Sequence, residues 1–323
     1  MGRKQDKAWV VNTAAGTAAA IFVVIFLAYA CHAGAARAAF PLERKDDRGV
    51  AVRLRAAPQR IVSLAPSLTE IVFLLGQEGR LAGVTRYCNY PPQAASLPKI
   101  GGIADPDVER IVAARPDLVL CTTDGNPKDK IRALEEIGIP CFALSPQDLG
   151  GIYAAVERTG ALLGVPGRGK READALRNRA AAAARGKRGI SPRVLFAVST
   201  SPIIAAGKGT FMDELLALSG GSNAAAAFAG RYPRLTTESL FAARPDLIFI
   251  AAMEGVERFP DEVTRWKEIP AFRDGEVLSL DGDLVTRPGP RMVAALEEVA
   301  RAINEWRKRH SGPPDTGGAT KKK

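Results

Sequence analysis

The sequence predicts an α/β protein of two Rossmann-like lobes with mostly parallel sheets, joined by a rigid helix. Three observations carry that expectation. A fourteen-residue unit occurs twice, 129 positions apart, as Asp107-Val-Glu-Arg-Ile-Val-Ala-Ala-Arg-Pro-Asp-Leu-Val-Leu120 and Thr236-Thr-Glu-Ser-Leu-Phe-Ala-Ala-Arg-Pro-Asp-Leu-Ile-Phe249. Around each copy, apolar runs alternate with helix-like segments, the order of a parallel sheet with crossover helices. Between the two halves, residues 148–188 hold no strand-like run.

Both copies of the unit have the same physical grammar. Asp107 and Thr236 are N-cap residue types, and Glu109 and Glu238 fall two residues later, where an acid suits the first helical turn. A short helix follows and must end before Pro116 and Pro245, because proline disfavours helix at the residue preceding it. The runs Leu118–Cys121 and Leu247–Ala251 are then continuously apolar, as in strands covered on both faces.

The other elements follow in order. Residues 40–58 read as a hairpin turning at Asp46–Gly49. Ile61–Ala65 reads as a strand, Pro66–Leu75 as a helix stopped by Gly76, and Leu81–Val84 as a strand. A helix over 127–137 and a strand over 139–144 complete the first lobe. Residues 152–163 and 168–186 are expected helices, the second rich in Ala, Arg and Glu and weakly apolar, as in a strut between lobes. In the second lobe a strand is expected at 193–198, helices at 211–218 and near 261–268, a strand at 277–280 and a helix over 288–306. The domain boundaries are therefore 1–39 signal peptide, 40–147 N-terminal lobe, 148–190 helical linker, 191–310 C-terminal lobe and 311–323 disordered tail.

The leader reading rests on Arg3, Lys4 and Lys7 before an apolar run from Ala18 to Ala30 and small residues at 33–39, with Ala36-Arg-Ala38 as the cleavage site. The competing readings are a permanent membrane anchor and a lipid on Cys31, the latter poorly served by the Leu-Ala-Tyr-Ala before it. The signal implies export to the periplasm. Of the formal charge of +10, residues 1–38 carry +3 and 311–323 carry +2, and the modest remainder does not point to nucleic acid. Beyond the leader only Cys88, Cys121 and Cys141 remain, and buried free thiols are the expectation.

The chemistry missing from the chain is informative too. Its two histidines are His32 in the leader and His310 at the edge of the tail, which removes His-based nucleophilic triads and most zinc chemistry. No phosphate loop, GxGxxG or CxxC occurs. Gly207–Thr210 reads as a turn, and Asp281-Gly-Asp283 lacks the spaced ligands of a calcium loop. A binding protein is expected rather than an enzyme, with no catalytic cofactor and no metal; an exported two-lobed enzyme is the rival from another class.

Four stretches carry a family resemblance: Arg60-Ile-Val-Ser-Leu-Ala-Pro-Ser-Leu-Thr-Glu70, Gly83-Val-Thr-Arg-Tyr-Cys-Asn-Tyr-Pro-Pro92, Gly230-Arg-Tyr-Pro-Arg234 and Asp283-Leu-Val-Thr-Arg-Pro-Gly-Pro-Arg291. Together with the doubled unit they resemble the substrate-binding proteins of bacterial ABC importers, specifically the vitamin B12 type, over roughly residues 45–305. The resemblance implies a monomer that holds cobalamin or a related corrinoid between its lobes and delivers it to a two-fold symmetric permease dimer in the inner membrane. It assigns ligand contact to Tyr87, Tyr232, Asp283 and Arg287, and permease docking to Glu109 and Glu238. Ile103 and Thr122 stand where aromatics are expected, leaving a less aromatic cleft, and haem or an iron–siderophore complex on the same scaffold is the alternative. Each assignment has a plainer rival: Tyr87 as a cap on the lobe core, Tyr232 as a loop organiser, the glutamates as helix-dipole acids. Cys88 beside the site suggests cobalt ligation only weakly. Arg287 and Arg291 surround two prolines at a helix start, an unfavourable end for cations, which favours a ligand or carboxylate partner for them.

Overall fold

The computed structural model describes residues 40–186, 189–253, 258–259 and 266–310. The leader with its cleavage site, Cys31 and His32, most of the helix expected near 261–268, and the tail lie outside the described residues.

Strands β1 (Leu42–Lys45) and β2 (Ala51–Leu54) form the expected antiparallel hairpin. Gly49 takes φ +80° in its turn, and the Asp46 carboxylate accepts from the N–H groups of Arg48 and Val50. The same buried carboxylate accepts from Ala143 N–H, which pins the hairpin to the first sheet. That sheet comprises β3 (Ile61–Ser63), β4 (Leu81–Val84), β5 (Leu118–Cys121) and β6 (Cys141–Ala143), all parallel in the order β4-β3-β5-β6. Its helices are α1 (Pro66–Leu74), α2 (Val108–Ala113) and α3 (Lys128–Glu136).

Two helices follow, α4 (Leu149–Leu162) and α5 (Pro166–Ala183). Both begin earlier than the sequence suggests. Asp148 caps α4 by accepting from Gly151 N–H, and Pro166 supplies the preset φ of a first helical position. The second sheet holds β7 (Arg193–Thr200), β8 (Ile203–Ala205), β9 (Ser222–Asn223), β10 (Leu247–Ala252) and β11 (Val277–Asp281) in the order β11-β10-β7-β8, with β9 also on β7. Only β8 is antiparallel. β8 and β9 were not expected, being too short to show a period. The helices of this half are α6 (Phe211–Ser219), α7 (Thr237–Ala243), α8 (Pro270–Arg273), α9 (Gly282–Thr286) and α10 (Met292–His310). The helix expected over 288–306 therefore starts later. Pro288 and Pro290 each disfavour helix at the residue before them, and Arg287 is extended, at φ −95°, ψ 113°.

The doubled unit folds twice alike. Asp107 accepts from Arg110 N–H and Thr236 from Ser239 N–H, while Ile111 and Leu240 are the buried anchors of their helices. Arg115 and Arg244 both take the left-handed backbone, at φ 47° and 40°. The likeness extends past the fourteen residues. Asp117 accepts from Arg60 N–H and Asp246 from Arg193 N–H; both arginines return their side chains to the last helical carbonyls, of Ala114 and Ala243. The strand registers match as well, Ile61 opposite Leu118 and Val194 opposite Leu247.

Each sheet is covered on both faces. The largest apolar cluster runs from Phe142 through Leu176 of α5 to Phe196 and Leu296, and separate clusters around Ile111 and Leu240 cover the outer faces. The connection is therefore a packed pair of helices rather than one strut. α4 and α5 meet backbone to backbone at Gly160 and Gly169, where a Cβ on Gly160 would lie 2.7 Å from Gly169 Cα. Arg179 of α5 holds Glu297 of α10 through two bonds of 2.9 and 2.8 Å. Bending this connection requires breaking helical hydrogen bonds and opening a continuous core. Ligand addition is accordingly expected to leave the radius of gyration nearly unchanged in small-angle scattering; a large fall would contradict a stiff connection.

Candidate functional site

All four strands of the first sheet end at one opening, as open α/β sheets place their ligand sites. A cavity of about 370 Å³ lies there. Its walls include Pro66 and Ser67 after β3, Tyr87 after β4, Thr122 and Asp124 after β5, and Ser145 after β6. Thr286, Arg287 and Pro288 face them from the second half. The base is tied by buried Asn126: its amide donates to the carbonyls of Leu64 and Ile103, and its oxygen accepts from Thr122 N–H. Ser145 Oγ accepts from Thr123 N–H at 2.6 Å and bonds the Thr122 hydroxyl at 2.8 Å. Asn126 and Ser145 thus fix the loops after β5 and β6.

Of the residues expected to contact ligand, Tyr87 and Arg287 line this cavity. Tyr87 is half exposed, and Arg86, itself locked by two bonds to Asp105, lies over its ring at 5.7 Å. Arg287 Nη2 pairs with Asp283 Oδ1 at 2.6 Å, so the two form a fork whose Nη1 and Oδ2 remain to bond a third group side by side. That group is Asn89 of the first lobe. Asn89 Nδ2 donates to Asp283 Oδ2 at 2.9 Å, and Arg287 Nη1 donates to Asn89 Oδ1 at 2.7 Å. Tyr232 sits in the loop after Gly230, 52% exposed and outside the cavity walls. Its neighbour Arg231 donates to Gln147, which donates to Asp124, so the loop touches the lip of the opening.

A second bridge between the lobes was not anticipated in full. Arg291 Nε and Nη2 donate to Glu70 Oε1 at 3.0 and 2.9 Å, with Arg291 stacked 4.2 Å over the Tyr90 ring. The Glu70 side chain is 3% exposed, and its Oε2 has no hydrogen-bond partner among the described residues. Burial raises the pKa of this carboxyl while Arg291 opposes the rise. Close by, Gly289 approaches Ser67 so tightly that a Cβ would lie 2.9 Å from Ser67 Cβ. The bridge borders another space of about 770 Å³ that reaches Leu176 of α5. Arg291 thus finds the carboxylate partner that its position at a proline-broken helix start requires, and Arg287 does likewise. Ser145, Asn126, Asn89 and Glu70 escaped the sequence reading; the one general signal for the first three is their position just past strand ends.

Glu109 and Glu238 occupy the first turns of α2 and α7, exposed and away from the cavity. Hydrogen bonds from its own backbone N–H and from Thr236 hold the Glu238 carboxyl below its ordinary pKa. The three described cysteines are free and buried. Cys88 Sγ bonds the Thr69 and Thr85 hydroxyls at 3.2 Å and is not among the residues that line the cavity. Burial pushes the Cys121 thiol up to about 12 and that of Cys141 higher still. Among the described residues, no group of three or more His, Cys, Asp or Glu is placed to hold a metal ion.

The periplasmic binding protein family model matches residues 61–284. The vitamin B12-binding protein of Vibrio parahaemolyticus is 30% identical over 245 residues, 75% of this chain and 88% of that protein. An uncharacterised ABC transporter substrate-binding lipoprotein of Bacillus subtilis is 31% identical over 280 residues, 82% of this chain and 86% of its own length. Among solved structures, the periplasmic vitamin B12 binding protein BtuF of Vibrio cholerae superposes with a TM-score of 0.68 at 26% identity, covering 78% of this chain and 99% of that one. The periplasmic heme-binding protein RhuT from Roseiflexus sp. RS-1 gives 0.69 at 30% identity, covering 77% and 98%.

Proposed function

The chain belongs to the periplasmic binding protein family, and we propose that it captures cobalamin or a related corrinoid between its lobes and delivers it to an ABC transporter permease. Family membership already makes it a solute-binding protein that works outside the cytoplasm. The finer reading is a monomer exported to the periplasm by the leader, with no catalytic step.

The observation that carries the ligand class is the Asp283–Arg287 fork at the cleft. It offers one anionic acceptor beside one cationic donor, the complement of a primary carboxamide. A corrinoid bears such amides around its rim and can bond both members, whereas a haem carboxylate can bond Arg287 only, with Asp283 opposing it. Tyr87 supplies flat contact for the macrocycle, and Tyr232 can reach the same ligand from the lip, because a corrinoid overfills a 370 Å³ cavity and must extend beyond it.

The direct test is the visible spectrum retained after the mature domain is mixed with cobalamins, haemin or ferric siderophores and freed of unbound ligand. A haemin spectrum with no corrinoid retained would overturn the reading. Tyr87→Ala is expected to weaken corrinoid binding by about 1–3 kcal/mol, the range for an aromatic anchor, and Tyr232→Ala by an amount in the same range. Unchanged titration calorimetry for the folded double variant would move the ligand elsewhere.

A further inference from the structure

The fork described above is not vacant: a carboxamide already fills it. Asn89 donates through Nδ2 to Asp283 and accepts through Oδ1 from Arg287, so its amide bonds both members of the fork at once. The orientation is dictated by charge, since the reverse would set an NH₂ against a guanidinium and an oxygen against a carboxylate. Asn89 and Arg287 are 198 residues apart and belong to opposite lobes. The contact therefore closes across the opening rather than within one loop.

We infer that Asn89 is an internal stand-in for a ligand carboxamide, an autoinhibitory latch that must leave the Asp283–Arg287 fork before a ligand amide can enter it. This rests on the corrinoid reading of the cleft and adds to it a competitor built into the chain. The competition is possible because Asn89 is exposed, on the loop between Val84 and Pro92, so rotation of its side chain vacates the fork without moving either lobe. The stiff helical connection makes such a side-chain exchange the available route. The second bridge, Glu70 to Arg291, involves no atom of Asn89, so rotation of the Asn89 side chain does not itself break that lobe-to-lobe contact.

The consequence is a sign opposite to that of an ordinary contact. If the binding-competent state is the unlatched one, the apparent dissociation constant is the intrinsic one divided by the unlatched fraction. Removing the Asn89 amide raises that fraction to one. Asn89→Ala is expected to bind cyanocobalamin about tenfold more tightly than the wild type, the equilibrium equivalent of one charge-assisted hydrogen bond released. Asn89→Ser, which keeps a small polar side chain too short to span the fork, should behave alike and serves if the alanine variant folds poorly. A corrinoid whose peripheral amides are replaced by carboxylates should gain nothing from either change, because Asp283 repels it.

The experiment is titration of wild type, Asn89→Ala and Asn89→Ser with cyanocobalamin and with the carboxylate analogue. Tighter cyanocobalamin binding by both variants, without a gain for the analogue, supports the latch. Wild-type binding with unchanged or weaker affinity in the variants overturns the latch alone and makes Asn89 a bystander or a ligand contact. Failure of wild type and variants alike to retain any corrinoid overturns the reading of the cleft, and the latch with it.

Discussion

Arg291→Ala is expected to destabilise the chain by about 3–5 kcal/mol at neutral pH, the range for removing one partner of a buried ion pair. The Glu70 carboxylate would be left buried with neither oxygen satisfied among the described residues, since Oε2 has no partner there and Oε1 depends on Arg291. The effect has a pH signature. Burial is the largest influence on Glu70 and raises its pKa above the ordinary 4.5, with Arg291 opposing, so losing Arg291 raises it further. A carboxyl whose folded-state pKa exceeds its unfolded value destabilises the fold fully above the folded pKa and not at all below the unfolded one. The deficit of the variant should therefore shrink as pH falls towards 4.5. Urea unfolding of both proteins across that range measures it, and a deficit constant with pH would mean that Glu70 is not the group left stranded.

Replacing both Glu109 and Glu238 by alanine should reduce transporter-dependent corrinoid uptake by about tenfold or more, while affinity for the ligand stays near wild type. The two acids occupy equivalent turns of the repeated unit, one in each half, exposed and outside the cleft. Paired charges at a fixed separation on a stiff body can select orientation at a two-fold symmetric surface and speed encounter. Their effect on folding should be small, since solvent screens an exposed first-turn acid from its helix dipole. Co-purification with the permease and uptake in cells both read the result. Normal uptake by the stable double variant would leave the glutamates as helix-dipole acids only.

The repeat was legible because its determinants are local. An N-cap, an acid in the first turn, a proline stop and an apolar run act within a few residues, and Asp107, Thr236, Pro116 and Pro245 do so in both halves. Arg60 and Arg193 belong to the same design but were hidden. They lie 57 and 53 residues before their aspartate partners, so no single spacing aligns them with the unit. The late start of α10 and the antiparallel β8 were missed for the opposite reason. Two prolines moved a boundary that apolar periodicity had extended, and three residues are too few to show alternation.

Of the four ligand contacts that the resemblance implies, Tyr87 and Arg287 line the opening, while Tyr232 and Asp283 are not among its wall residues. Their companions could not be read in advance. By itself the sequence determined the two α/β halves, the helical connection between them, the scarcity of histidine and the family. Those follow from residue type and short-range order, which the chain carries wherever it folds. Only the tertiary structure decided that the Asp283–Arg287 pair, four residues apart in the chain, faces Asn89, that Glu70 is buried against Arg291, and that the Tyr232 loop touches the lip through Arg231. Polar side chains choose partners by proximity after packing, and Glu70 meets Arg291 across 221 residues of chain. No local pattern encodes a contact that exists only once two lobes have closed on a common core.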